Sequence, residues 1–442
     1  MKSPNPGSTI TRRQFLALSG AALALPTLIP SVALGRPGAP APSQRIALGV
    51  VGGGNQGTTN TKAFLPLKEC QVIAACDVDK GHLEDTVSLV NEHYHNGDCK
   101  PHHDFRELLA RKDIDVVMLA VPDHWHELVA VEAARQGKDI YGEKPLARTI
   151  AEQQAIVTAV RENRRIWQTG SWQRSVPLFH KAAEIVRNGL IGEVTRVEVG
   201  LPAGNRNSGN AARSMEPSEP PSELDYDLWL GPSKLMPYIQ GRVHRNWRWN
   251  YNTGGGQLMD WIGHHCDIAH WGCDFDNSGP SEIEGHGEFP PKDAVWNTAT
   301  KYRIELRYPR NITMIIAGGY DDIRGGCKWI GTKGWVYVER GVFEGSNEDW
   351  RDYRTLPEEL RKVKLYKSGN HHKNFLDCVK SRKPTITPVE TAHHSAIPGH
   401  LGLISMLVGR KLKWDAQTER ILDDAEASQL LTRPFRPPLK LG

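Results

Sequence analysis

The sequence predicts an α/β protein: an N-terminal doubly wound parallel sheet, then a C-terminal α/β domain with an open, mostly antiparallel sheet. Three observations predict it. An apolar run over residues 46–51 leads directly into Gly52-x-Gly54-x-x-Gly57, the strand–turn–helix of a dinucleotide fold. Apolar strands then alternate with helical patterns to about residue 169, which is βαβ alternation. From residue 194 onward, strands follow one another without helices between them, as in an antiparallel sheet.

At 442 residues the chain is long enough for two domains with sizeable cores. We divide it into residues 1–44 (export signal and linker), 45–167 (nucleotide-binding domain) and 168–442 (substrate-binding and oligomerisation domain). The 55 basic and 51 acidic residues nearly balance and form no basic block, which argues against a nucleic-acid surface. Seven cysteines, none in a Cys-x-x-Cys pair, give neither a disulfide framework nor a zinc site. Several of the 13 tryptophans fall between Trp229 and Trp271. Flat aromatic faces stack on sugar rings, and core packing explains the cluster equally well.

The first glycine of the motif permits a tight turn, the second lets the backbone approach a pyrophosphate, and the third lets helix and strand pack closely. The helix beginning around Asn55 and Gln56 would offer its free N–H groups to the phosphates. A second apolar run, 72–76, ends at Asp77, twenty residues past Gly57, where the acid that binds the adenosine ribose is expected. A carboxylate there repels a 2′-phosphate, so the expected cofactor is NAD rather than NADP. A helix at 80–93, a loop through His103 and a short helix at 105–110 come next. The run 114–121 is apolar throughout, as a strand covered on both faces should be. It ends in Pro122-Asp123-His124-Trp125-His126 at the carboxyl edge, where ligands of such sheets bind, so Pro122 and His126 join the cofactor set. A helix over 127–136 and a strand over 139–141 deliver Gly142-Glu143-Lys144-Pro145, and Glu143 and Lys144 complete that set. A helix at 151–163 and a strand at 166–169 close the alternating region.

Further strands are predicted at 194–200, 281–288, 297–308, 312–317, 328–330 and 335–338, with helices at 373–381 and 390–411. Residues 202–223, rich in Pro, Ser, Asn and Gly, should form a long loop over the active site or at a subunit contact. The N-terminus reads as an address. Thr11-Arg12-Arg13-Gln14-Phe15-Leu16, a short apolar stretch and Pro30-Ser31-Val32-Ala33 make a twin-arginine export signal, and residues 35–44 a linker. The apolar stretch is too short for a good spanning helix. The expected location is therefore the periplasm, with no stable membrane insertion after signal removal. That route carries folded proteins, and free NAD is scarce outside the inner membrane. The cofactor is thus expected to be retained and regenerated within each cycle.

The glycine motif, Glu143-Lys144-Pro145 and the stretch from Gly254 to His264 occur in this order, with Asp225-Tyr226-Asp227-Leu228-Trp229-Leu230-Gly231-Pro232 and Asn246-Trp247-Arg248-Trp249 between. In these features the chain resembles the glucose–fructose oxidoreductase/inositol dehydrogenase (Gfo/Idh/MocA) family, from about Arg45 to the C-terminus. The resemblance implies a Rossmann domain joined to an α/β domain whose open sheet forms a homo-oligomer interface. It also implies NAD(P)-linked oxidation or reduction of a sugar, cyclitol or related hydroxyl, and it places the catalytic lysine on Lys144 and an Asp-x-x-x-His pair on Asp260 and His264. The residue types suit that chemistry. Oxidising a carbinol carbon requires loss of the hydroxyl proton, and a positioned histidine is the usual base near neutral pH. Asp260, four residues earlier, would share a helix face with His264 and orient or polarise it. Lys144 would hydrogen-bond the substrate oxygen as charge develops, or relay its proton.

His264 is followed by His265, where many sugar dehydrogenases of the family carry an acid. Either imidazole could be the base, and spacing favours His264. Gln173, Arg174, Trp247, Arg248 and His265 are the candidate substrate-binding residues, structural salt bridges being the competing role for the arginines. A metal site from Asp260, His264 and Asp267 or His270 is a competing reading of the helix; no metal is expected. The pairs His371-His372 and His393-His394 read as satisfied or exposed, with pocket lining as the alternative. Three functions remain in play. The primary reading is an NAD-retaining oxidoreductase acting on a sugar or glycoside. The alternative is an NAD-dependent glycosidase working by transient ring oxidation, elimination of the aglycone, hydration and re-reduction. The third is a non-catalytic sugar- or nucleotide-binding protein, which Lys144→Ala would leave untouched.

Overall fold

The computed structural model describes residues 44–205 and 215–442. The expected export signal and nearly all of its linker lie outside the described residues, as do residues 206–214 of the expected long loop.

A six-stranded parallel sheet forms the first half, in the order β3-β2-β1-β4-β5-β6. Its strands are β1 (Ile46–Val51), β2 (Cys70–Cys76), β3 (Lys100–His102), β4 (Val116–Leu119), β5 (Asp139–Gly142) and β6 (Trp167–Thr169). Five helices connect them: α1 (Asn55–Phe64), α2 (Lys80–Tyr94), α3 (Phe105–Ala110), α4 (His126–Arg135) and α5 (Ile150–Glu162). All four residues of β4 are buried, as its unbroken apolar run requires. The helices begin where side chains satisfy free N–H groups: Asp79, Asp104 and Thr149 accept from the backbone of His82, Arg106 and Glu152. The strand order reverses between β1 and β4, which both pair in parallel register and open a crevice at their carboxyl ends. β3 falls where a loop through His103 was expected. Its exposed Lys100-Pro101 start carries no apolar signal, and the strand exists because it pairs with β2.

The second half is built on a nine-stranded sheet, ordered β13-β12-β11-β7-β10-β9-β8-β14-β15. Its strands are β7 (Val194–Leu201), β8 (Glu282–Glu288), β9 (Lys301–Tyr308), β10 (Ile312–Gly318), β11 (Gly326–Gly331), β12 (Gly334–Glu339), β13 (Val342–Gly345), β14 (Leu412–Asp415) and β15 (Arg420–Leu422). Pairing is antiparallel except between β7 and β10. The sheet is therefore mixed and mostly antiparallel. Tyr302, Ile304, Leu306 and Tyr308 of β9 are buried, while Glu305 and Arg307 between them are exposed, the alternation of a one-sided sheet.

The buried face is covered by α6 (Pro177–Arg187), α8 (Gly256–Cys273) and α10 (Val389–Val408). Phe179, Ile185, Leu258, Ile262, Ile397 and Leu401 pack there against Val197, Ile304, Met314 and Trp329. Three other helices are α7 (Tyr226–Leu230), α9 (His371–Ser381) and α11 (Ala425–Gln429). No described helix is long and apolar enough to cross a membrane.

Candidate active site

The turn from β1 into α1 supplies a floor that only glycine fits. Gly52 has φ +97°, and a Cβ there would lie 2.4 Å from Ala120 O. A Cβ on Gly57 would lie 1.9 Å from Gly52 O, so the helix could not pack where it does. Gly54 differs: its added Cβ meets nothing within 4 Å among the described residues. It is the N-cap of α1, its backbone is extended, and no side chain caps the helix. An open cradle at an uncapped helix start is what the backbone approach of a pyrophosphate needs.

Asp77 follows β2 and lines the same cavity. Its carboxylate accepts from Gly53 N at 2.7 Å and from Asp79 N at 2.9 Å. Burial raises this carboxyl, and those N–H groups work against the rise. Gln56 and Asn60 on α1 both donate to Glu143 Oε1, at 3.0 and 2.9 Å. Glu143 is thus a bracket between α1 and β5 as well as a cavity-lining residue. Pro122 and His126 also line the cavity. Both ring nitrogens of His126, however, sit against backbone carbonyls, Pro145 O at 2.8 Å and Val121 O at 2.9 Å. Its ring nitrogens are thus engaged within the loop, while the residue itself stays in the cavity lining.

At the far end, Lys144 from the β5 terminus meets α8. Its Nζ donates to Asp260 Oδ1 at 3.0 Å and to Asp260 O at 2.7 Å. Arg248 Nε lies 3.3 Å from the same Oδ1. Burial opposes the charge on Asp260, but Lys144 and Arg248 outweigh it and hold the carboxyl below its usual range. Gly263 makes the approach possible, since a Cβ there would stand 2.8 Å from Lys144 Cβ. Among the described residues the expected support of His264 by Asp260 is absent: the carboxylate is taken by two cations, and His264 Nδ1 is buried with no hydrogen-bond partner. A shared helix face brings the two residues near each other, and the stronger charge partners decide where the acid points. Burial, then Lys144 and Arg340, push the His264 imidazole well below its usual pKa, so it is neutral.

The structure separates the two adjacent histidines. His264 lines the cavity, with the Trp261 ring edge-on at 5.4 Å. His265 is turned away, its Nε2 3.2 Å from Glu339 and its Nδ1 3.3 Å from Gln173 Nε2. Gln173 and His265 thus stand behind the cavity wall, correcting their expected substrate contact. Arg174 is corrected more strongly. Its side chain is 2 % exposed and is ion-paired with Asp267 at 2.8 Å and Asp276 at 2.7 Å, under the Trp271 ring. Burying a guanidinium demands such partners, and here they anchor α8 in the core. Asp267 is thereby removed from the metal reading, as is His270, whose Nε2 contacts Tyr308 Oη at 2.8 Å. His371 is satisfied by Thr169 O and Ser175 Oγ, and His393 by Gln153 and Glu419.

Trp229, Trp247, Trp249 and Trp261 all line the cavity, which has a volume of about 830 Å³. Stacking surfaces and core packing are therefore combined in one cluster. Residues 223–249 wall one side and are stitched to the parallel sheet's loops. Lys80 N donates to Glu223 O at 2.9 Å, Asp225 N to Val78 O at 3.1 Å, and Trp125 Nε1 to Trp229 O at 3.0 Å. Sequence reasoning missed Asp123 and Arg340 as cavity residues. Asp123 sits in the recognised Pro122–His126 loop, so position alone could have flagged it. Arg340 lies in the β12–β13 turn, where no local signal points to a site.

Two family models match the chain. Residues 46–171 match the family model for the Gfo/Idh/MocA oxidoreductase NAD-binding Rossmann fold, and residues 178–441 that for its C-terminal alpha/beta domain. Among curated proteins, a glycosyl hydrolase family 109 protein of Shewanella pealeana is 30% identical over 162 residues, 35% of this chain and 34% of that protein. A levoglucosan dehydrogenase of Pseudarthrobacter phenanthrenivorans is 31% identical over 153 residues, 34% of this chain and 39% of that protein. The chain thus spans about a third of the length of the curated relatives it matches. Among solved structures, the WlbA dehydrogenase of Bordetella pertussis, in complex with NADH and UDP-GlcNAcA, shares the fold with a TM-score of 0.62 at 16% identity, covering 84% of this chain and 99% of that one.

Proposed function

The chain belongs to the Gfo/Idh/MocA oxidoreductase family, and on that premise we propose that it is an NAD-dependent oxidoreductase acting on a hydroxyl of a sugar or glycoside. The observation that carries this reading is the meeting of Lys144, Asp260 and His264 in the cavity that begins at Gly52, Gly54 and Gly57. The glycine cradle and the start of α1 would hold the pyrophosphate, and Asp77 the ribose hydroxyls. NAD bound there supplies the two-electron acceptor and donor.

The chain's own residues do the rest. His264, which lines the cavity and is kept neutral by its burial, accepts the hydroxyl proton. Lys144 donates a hydrogen bond to the substrate oxygen as negative charge develops on it. Asp260 keeps Lys144 aimed and balances its charge against Arg248. Trp247, Trp249 and Trp261 offer flat faces to a pyranose ring.

The stitched segment 223–249 supports retention of the nucleotide between turnovers, since it must detach from the Val78–Lys80 backbone to open that wall. Export by the twin-arginine route, supported by Arg12-Arg13 and the apolar stretch behind them, fits a retained cofactor. A homo-oligomer formed through the nine-stranded sheet would cover its solvent-facing side.

A second reading is favoured by the family 109 relative, itself named a glycosyl hydrolase: the same site would run a redox-neutral glycoside cleavage. One experiment separates the two. Protein purified with its nucleotide is mixed with free sugars and aryl glycosides while nicotinamide absorbance and aglycone release are recorded together. Stoichiometric NADH with no bond cleavage supports the oxidoreductase. Catalytic aglycone release without lasting NADH overturns it in favour of the glycosidase.

A further inference from the structure

We propose that Arg340 is an anion-recognition residue, so that the preferred substrate is an acidic sugar carrying a carboxylate or sulfate. This rests on the carbohydrate reading above. Arg340 occupies the turn between β12 and β13 and reaches into the cavity. Its guanidinium lies between two indoles, 4.8 Å from the Trp172 ring centre and 4.7 Å from that of Trp261. Trp261 in turn borders His264, which places the charge beside the proposed chemistry.

The same protein shows what a structural arginine looks like. Arg174 is buried with two carboxylates on its fork. Arg340 is exposed, and among the described residues no carboxylate lies within ion-pair distance of its side chain. Its one side-chain hydrogen bond among the described residues, from Nη2 to Gln173 Oε1, is 3.3 Å. The support behind it is more elaborate: Gln173 also contacts His265, and His265 is bridged to Glu339, the neighbour of Arg340 on the turn. Stacking fixes the plane of a guanidinium and leaves its edge free, which is the geometry for bidentate capture of two oxygens of a carboxylate or sulfate.

The surrounding charges agree. Lys144, Arg248 and Arg340 line this end of the cavity, and the single carboxylate Asp260 is shared by the first two. Asp123, the other acid there, has no hydrogen-bond partner on Oδ1 among the described residues. Burial and the adjacent Asp260 push it up to about 8, so it adds little negative charge at neutral pH. A neutral sugar would leave the Arg340 charge uncompensated, and an acidic one would balance it.

The test uses the protein with its bound nucleotide and matched sugar pairs: glucose and glucuronate, galactose and galacturonate, N-acetylglucosamine and its 6-sulfate. Binding is read from quenching of tryptophan fluorescence, and turnover separately from nicotinamide absorbance. At least one acidic member should bind ten-fold or more tighter than its neutral partner, with the preference weakening as salt rises. The uronate and sulfate arms identify the anion. Arg340→Gln should reduce that ratio to near one, while Arg340→Lys, keeping charge without the fork, should retain part of it. The proposal is overturned if no acidic sugar is preferred, or if the preference is the same in a folded Arg340→Gln protein. Should Arg340→Gln fail to fold, the wild-type ratios and Arg340→Lys decide the matter. Acidic preference without redox change or aglycone release would refute the catalytic reading and leave this one standing.

Discussion

Replacing Gly54 by alanine should leave the fold intact and remove the nucleotide. Gly54 has φ −65° and ψ −172°, which alanine adopts without strain, and the new methyl would meet no protein atom within 4 Å. A Gly→Ala change at a compatible position stabilises by about 0.4–1 kcal/mol through the unfolded chain. Alanine is a poorer N-cap than glycine, which offsets that gain, so the melting temperature of the nucleotide-free protein should change little. The methyl would instead occupy the space through which the backbone approaches the pyrophosphate, and affinity should fall at least about ten-fold, or about 1.4 kcal/mol. Two readings check this: nucleotide released per chain on acid denaturation, and the thermal shift on adding NAD. At a hundred-fold excess over Kd the wild type should gain about 2.7 kcal/mol, and the variant much less. Gly57→Ala is the contrast. Its methyl would sit 1.9 Å from Gly52 O, so stability and binding should drop together. Full nucleotide content and an unchanged thermal shift in Gly54→Ala would refute the cradle assignment.

Lys144→Met should lower turnover by about 10²–10⁴-fold while the purified protein keeps its nucleotide; turnover within a factor of a few of wild type would remove Lys144 from the chemistry. His264→Ala should cost far more activity than His265→Ala, measured as kcat under saturating sugar, because only His264 lines the cavity. For Asp123, pushed up to about 8 by burial and Asp260, the folded chain holds a proton that the unfolded chain has released above the usual carboxylate pKa. Stability at this site therefore falls as pH rises toward 8. Asp123→Asn should gain on wild type by about 1.4 kcal/mol per pH unit between pH 5 and 8, read from denaturant melts of nucleotide-free protein, and a pH-independent difference would contradict the assignment. Arg174→Met should destabilise by about 3–5 kcal/mol, because it strands Asp267 and Asp276; a loss below about 1 kcal/mol would show that water already solvates that pair.

Local features of the sequence determined the parallel sheet and the nucleotide crevice. The glycine spacing, the apolar run of β4 and Asp77 at the end of β2 each act within one strand–turn–helix unit, where chain connectivity fixes geometry. The strand end placed Lys144 at the carboxyl edge of the sheet, and the family resemblance marked it as the catalytic lysine. Tertiary structure alone decided the rest. Asp260 and His264 share a helix turn, yet cations arriving from residues 144 and 248 settled that the acid serves the lysine. Gln173, Arg174 and His265 looked like ligand contacts because their residue types suit that role. Distant partners, Asp267, Asp276 and Glu339, assigned two of them to the support behind the cavity and Arg174 to the core. Arg340 was silent in sequence because its position depends on a hairpin placed by sheet pairing and on indoles from two other segments. Charge and ring contacts act through space, and spacing along the chain does not encode which partners the fold will bring within reach.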